Sequence, residues 1–237
     1  MTPRLALLFL ISSPALSAEP GHFENLEAAR FKAMGEQKQG LYLDVRTPQE
    51  VALGRLAGTS VIDIHDPKFE QKVALLPRNR PIFVYCGSGV RSVKAAETMQ
   101  KLGFAEVYNL TGGMRAWTAA GLPVEHPAEA RDSAEGLEPA AFDAILKAEH
   151  RVLVDYQTPW CAPCQKMSSL IDSIAQVHKG KAKILKVDVD QSEALVARER
   201  IDAVPVFVLY VDGKERRRAK GEQPREELER LLTQEPY

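Results

Sequence analysis

Three cysteines stand in this 237-residue chain, and their surroundings suit two different sulfur chemistries. Cys86 opens the run Cys86-Gly87-Ser88-Gly89-Val90-Arg91-Ser92. Its two glycines let the backbone curl so that several N–H groups converge on one point, and a following helix start adds positive potential there. A thiol at such a focus ionises more readily than a free cysteine. Arg91 closes the loop and supplies a planar cationic fork for an oxyanion. The expected chemistry is a thiolate that attacks an anionic substrate, with Gly87, Ser88, Gly89 and Val90 cradling a negatively charged intermediate. The plainer alternative is an inert buried cysteine followed by a helix-capping loop.

Cys161 and Cys164 form a C-x-x-C pair in Trp160-Cys161-Ala162-Pro163-Cys164. A helix starting at Cys161 lowers the pKa of that thiol through its N-terminal amides, while Cys164 lies one turn inside. Cys161 is therefore expected to attack, and Cys164 to resolve the mixed disulfide. Pro163 stiffens the turn between them. A zinc site needs two further ligands, but Cys86 is 75 positions upstream and the five histidines are scattered at 22, 65, 126, 150 and 178. Neither zinc nor another metal or cofactor is expected. An odd number of cysteines also precludes complete pairing within the chain.

The elements that must position these residues read as α/β. Gly40–Val45 is a strand, and Thr47-Pro48-Gln49-Glu50 offers an N-cap, a helix-initiating proline and a capping-box glutamate. Pro81–Tyr85 is a near-continuous apolar run, expected of a central buried strand, and ends at Cys86. A helix over Arg91–Leu102 stops at Gly103. In the second half, Val152–Tyr156 is a strand leading into the C-x-x-C. Met167, Leu170, Ile171, Ile174 and Val177 then recur at helical spacing. Ala182–Val189 and Val206–Val211 are further strands, Asp212-Gly213 turns a hairpin into a basic strand at Lys214–Lys220, and Pro224 opens a last helix through Leu232. Residues 127–136 lack a hydrophobic period and read as a linker. The expected layout is two parallel-sheet α/β domains, 22–126 and 137–237.

The first half resembles the rhodanese (sulfurtransferase) family. Three blocks carry the likeness: Leu43-Asp44-Val45-Arg46-Thr47-Pro48-Gln49-Glu50, Val84-Tyr85-Cys86-Gly87-Ser88-Gly89-Val90-Arg91-Ser92, and Leu110-Thr111-Gly112-Gly113-Met114-Arg115-Ala116-Trp117. The resemblance implies that Cys86 takes a sulfane sulfur from a small anionic donor such as thiosulfate, becomes a persulfide and passes the sulfur to a thiophilic acceptor. It makes the Gly87-to-Arg91 amides the persulfide cradle and Arg91 a substrate anchor, while Asp44 and Arg46 are expected to pair structurally. The stretch Arg55-Leu56-Ala57-Gly58-Thr59 departs from the family's usual His-Ile-Pro-Gly-Ala. Related phosphatase loops enclose five residues between Cys and Arg, whereas Cys86 and Arg91 enclose four. The shorter loop suits a sulfur-sized group better than a phosphate.

The second half resembles thioredoxin through Val154-Asp155, Trp160-Cys161-Ala162-Pro163-Cys164, Lys186-Val187-Asp188-Val189-Asp190, Ala203-Val204-Pro205 and Gly221. The resemblance implies that Pro205 is cis and sits beside the dithiol, with Trp160, where a substrate backbone docks. It makes Asp155 the buried carboxylate that handles protons for Cys164; the alternative is a strand-end aspartate open to solvent. Gln157 and Val206 depart from the family's common residues and alter the docking face. Partners are then protein thiols and disulfides.

Composition narrows the remaining classes. Lys plus Arg number 31 against 32 Asp plus Glu, a formal charge of −1, which gives no electrostatic argument for nucleic acid. The basic run at 214–220 is read as a charged edge strand. At the N-terminus Arg4 precedes the apolar core Leu5–Ile11, small residues follow at Ala15, Ser17 and Ala18, and Glu19 begins the polar chain. This is the layout of a secretory signal peptide over residues 1–18, which places the protein in the periplasm or otherwise outside the cytoplasm. There an oxidising environment calls for a membrane-borne reductant if the dithiol is to work reduced. The two functional expectations are an exported enzyme coupling sulfur transfer to dithiol chemistry, and a thiol-disulfide oxidoreductase whose rhodanese domain only recognises partners.

Overall fold

The computed structural model describes residues 23–126 and 136–233. The leader at 1–18 and, except for Gly136, the linker at 127–136 lie outside the described residues. The first domain runs β1 (Glu24–Leu26), α1 (Ala28–Gln37), β2 (Leu41–Asp44), α2 (Pro48–Ala52), β3 (Ser60–Val61), α3 (Phe69–Ala74), β4 (Ile82–Tyr85), α4 (Val90–Lys101), β5 (Val107–Leu110) and α5 (Gly113–Ala119). Its sheet has the order β1-β5-β4-β2-β3 and every pairing is parallel. β4 is central and wholly buried, so its four side chains are apolar or aromatic on both faces. One face packs Leu43, Val84, Ala95, Ala96 and Met99; the other packs Phe31, Phe83, Tyr85 and Trp117.

The second domain runs α6 (Pro139–Ala148), β6 (Arg151–Gln157), α7 (Ala162–Val177), β7 (Lys183–Asp188), α8 (Glu193–Arg198), β8 (Val206–Val211), β9 (Lys214–Lys220) and α9 (Arg225–Thr233). Its sheet order is β7-β6-β8-β9. The expectation of a parallel sheet here is corrected. Only β6 and β7 are parallel, while β8 pairs antiparallel with both β6 and β9. The β8–β9 reversal is the hairpin expected at Asp212-Gly213, since a parallel return would need a crossover of a dozen or more residues; the unexpected pairing is that of β8 with β6. β9 is an edge strand, its Lys220 paired with Asp202 and its Arg218 with Glu215. Such charge blunts pairing with another sheet.

Local chemistry sets the entries to both sites. Thr47 caps α2 and Glu50 closes the capping box by accepting from the Thr47 amide at 3.2 Å. Cys161 caps α7, its Sγ accepting from the Cys164 amide at 3.2 Å.

Candidate functional site

Cys86 sits immediately after β4, where a buried strand delivers it to the head of α4. The Gly89 amide donates to its Sγ at 3.1 Å and the Ser92 hydroxyl points to it at 3.5 Å. Burial pushes the thiol pKa up. Hydrogen bonds from the Ser92 hydroxyl and from the Ser92, Ser88 and Gly89 amides outweigh this, and the thiol lies below its ordinary value. Gly89 adopts φ +90°, and a Cβ there would stand 3.0 Å from the Gly112 nitrogen. A second glycine pair builds the floor. A Cβ on Gly113 would fall 2.3 Å from the Cys86 carbonyl oxygen, so only glycine lets the segment before α5 run against the cysteine loop. The Met114 and Arg115 amides then donate to the Cys86 and Gly87 carbonyls at 2.8 and 3.2 Å.

A cavity of about 280 Å³ opens beside this loop, lined by Arg46, Glu50, Leu53, Gly87, Ser88, Arg91, Met114 and Arg115. Two of its three guanidiniums are already paired. Arg46 is buried against Asp44, with Nη2 donating at 2.6 Å, and also donates to the Gly54 carbonyl. Arg91 is held bidentate by Glu50 at 2.5 and 2.7 Å. The Arg91 guanidinium holds the Glu50 carboxyl at about 2, well below its usual range. The fork assigned to substrate is therefore clasped by a carboxylate 41 positions earlier. Arg115, which sequence reasoning quoted but gave no role, lines the same wall. Val90 projects its side chain outward beside the loop, 65% exposed.

The second site is built on β6 and α7. Cys161 and Cys164 are joined in a disulfide with Cα atoms 5.2 Å apart. The Val204–Pro205 peptide is cis and leads directly into β8. Asp155 lies within β6 and is buried, which removes the solvent-open alternative. Burial pushes its carboxyl up to about 7, opposed by the nearby Lys186 charge. Trp160 is not a free rim residue: it packs against the cores of both domains, and its indole N–H donates to Asp190 at 2.8 Å. Among the described residues no group of three or more His, Cys, Asp or Glu is placed to hold a metal.

The Cys86 cavity is lined by first-domain residues alone, while the residues on either side of Cys161 hydrogen-bond to the β3 edge. β3 lies two strands from β4, about 10 Å at ordinary strand spacing.

An all-parallel α/β domain with a cysteine held in a glycine-rich loop, followed by an α/β domain with a helix-capping cysteine pair, defines a two-centre thiol protein. Residues 27–120 match the family profile described as Rhodanese-like domain, and residues 133–234 match that described as Thioredoxin. The chain is 35% identical over 93 residues to a thioredoxin of Staphylococcus aureus, covering 39% of this chain and 88% of that one. It is 31% identical over 105 residues to the M-type chloroplastic thioredoxin of Brassica napus, covering 42% of this chain and 59% of that protein's length. A rhodanese-related protein from Thermoplasma volcanium aligns at 30% identity over 44% of this chain and all of that one, with a TM-score of 0.40. The chain belongs to the thioredoxin family through its second domain and carries a rhodanese-like domain ahead of it.

Proposed function

We propose that the protein is an exported sulfurtransferase coupled to a thiol-disulfide oxidoreductase, with Cys86 carrying sulfane sulfur and the Cys161–Cys164 dithiol accepting it. The observation that carries the reading is the Cys86 Sγ, hydrogen-bonded by Gly89 and Ser92 beside a cavity walled by three arginines. Cys86 thiolate bonds to the outer sulfur of thiosulfate as the sulfur–sulfur bond breaks and sulfite leaves with the electron pair. The resulting persulfide is an anion, which the loop amides stabilise. Cys161 thiolate then bonds to that outer sulfur and releases Cys86 as thiolate. Cys164 thiolate attacks Cys161 Sγ, forming the disulfide and expelling sulfide, which takes up protons. Two thiols are oxidised to one disulfide while the sulfane sulfur is reduced to sulfide.

Thiosulfate:cyanide transfer measured beside insulin reduction tests the two chemistries separately. Reduced protein given thiosulfate without cyanide should release sulfide and become oxidised at Cys161–Cys164 in equal amounts. Insulin reduction without any sulfur transfer would leave the first domain a partner-recognition module.

Charge in the cavity yields a sharper test. Glu50→Gln keeps a capping-box residue but frees the Arg91 fork. Opposite charges about 4 Å apart in water interact by about 1 kcal/mol, so KM for thiosulfate should fall about fivefold. Arg115→Ala should raise it by a similar factor, with kcat little changed. No change in either variant would remove the anion-site assignment. The exported location rests on the leader at 1–18, and mass spectrometry of the native protein should find a mature start at Ala18 or Glu19. Met1 retained in a cytoplasmic fraction would refute it, together with the need for a membrane-borne reductant.

A further inference from the structure

The disulfide is covered by the protein's own first domain. Cys161 is 1% and Cys164 3% exposed. A thiol that must meet a disulfide in another molecule needs an open line of approach to its sulfur. Three hydrogen bonds close that line. The Val61 amide on β3 donates to the Trp160 carbonyl at 3.0 Å, just before the first cysteine. The Ala162 amide, just after it, donates to the Ser60 hydroxyl oxygen at 3.0 Å. The Val204 amide, just before Pro205, donates to the Leu75 carbonyl at 3.1 Å. Leu75 and Trp160 both pack against the second domain's core beside the cysteines.

These are bonds a polypeptide makes: a backbone amide, a backbone carbonyl and a small hydroxyl offered to one concave face. The rim is ionic. Lys72 bridges Asp66 at 2.9 Å and Asp190 at 3.1 Å, Lys68 pairs with Glu193, and Arg80 pairs with Glu222 at 2.9 Å. The Lys68–Glu193 pair is exposed and the others are partly buried; surface pairs contribute about 0.2–1 kcal/mol each and weaken in salt.

From this we infer that β3 and Leu75 form a removable cover seated in the peptide-binding face of the dithiol, so that an extended polypeptide substrate gains Cys161 only by displacing the rhodanese-like domain. The inference rests on the reading of Cys161–Cys164 as an exchanging dithiol, and it adds that the closed form is its resting state. The closed form also limits how fast the dithiol can discharge a sulfur carried on Cys86, since Cys161 is buried and every residue lining the Cys86 cavity belongs to the first domain.

The test uses the full-length reduced chain and its Lys68→Glu/Lys72→Glu variant, which places carboxylates against Glu193 and Asp190. Iodoacetamide labelling of Cys161, followed by mass spectrometry of its peptide, should be about fivefold faster in the variant than in the parent. In the parent it should accelerate as salt is raised from 20 mM to 1 M. Insulin reduction should rise in parallel, while sulfur transfer from thiosulfate to cyanide stays unchanged and reports that the variant is folded. Labelling of the parent that is independent of salt and equal to that of the variant would overturn the cover. Faster labelling of the variant with no insulin reduction by either chain would sustain the cover and refute the oxidoreductase reading instead.

Discussion

Cys86→Ser should abolish sulfur transfer from thiosulfate to cyanide, lowering kcat/KM by a factor on the order of 10⁴ or more, while insulin reduction persists. A serine hydroxyl is far less ionised at neutral pH than this thiol and cannot hold a sulfane sulfur reversibly. Losing the nucleophile of a unit that acts together removes nearly all of its rate enhancement. The rest of the loop should survive the change, because Gly89, Gly112 and Gly113 fix its path through the backbone. Loss of both activities together would show that the two chemistries are not divided between the two domains as proposed.

The largest effect on stability is expected at Asp155. Its carboxyl is raised by burial to about 7, against an ordinary 3.8. Between these values the unfolded chain releases the proton and the folded chain keeps it. Stability therefore falls as pH rises from about 4 to 7, by at most about 4 kcal/mol, and levels off above that. Asp155→Asn removes the ionisation and should flatten this slope. Allowing for the cost of burying an amide, the variant should gain about 2 kcal/mol at pH 8 and little or nothing at pH 4. Urea unfolding at the two pH values measures both numbers. Equal stabilisation at both would show that packing, not ionisation, governs the site. The same variant should slow dithiol turnover at neutral pH if Asp155 exchanges protons with Cys164.

The local geometry of both cysteine sites was legible in the sequence because each depends on neighbours. Gly87, Gly89 and Arg91 stand within five positions of Cys86, and the capping relation of Cys161 to Cys164 is internal to one turn. The Thr47–Glu50 box was legible for the same reason. What escaped was set by distant contacts. Glu50 read as a helix cap, and nothing local shows that its carboxylate clasps Arg91. Arg115 reaches the cavity only because Gly113 lets the β5–α5 junction run against the Cys86 loop. The strand Val206–Val211 is buried throughout. It therefore carries the unbroken apolar run expected of a parallel strand, although its neighbours run the other way. β3 has two residues, too few for any period, yet it supplies the contact over Cys161.

Trp160 has an optical consequence. The chain holds two tryptophans, and Trp117 is enclosed in the first domain's core. Trp160 adjoins the Cys161–Cys164 disulfide and stands between the two domains. A disulfide beside an indole quenches its emission, so reducing the pair should brighten this one residue, and parting the domains should shift its spectrum to the red as water reaches the ring. A Trp117→Phe chain would then carry a single emitter that reads redox state through intensity and domain closure through wavelength.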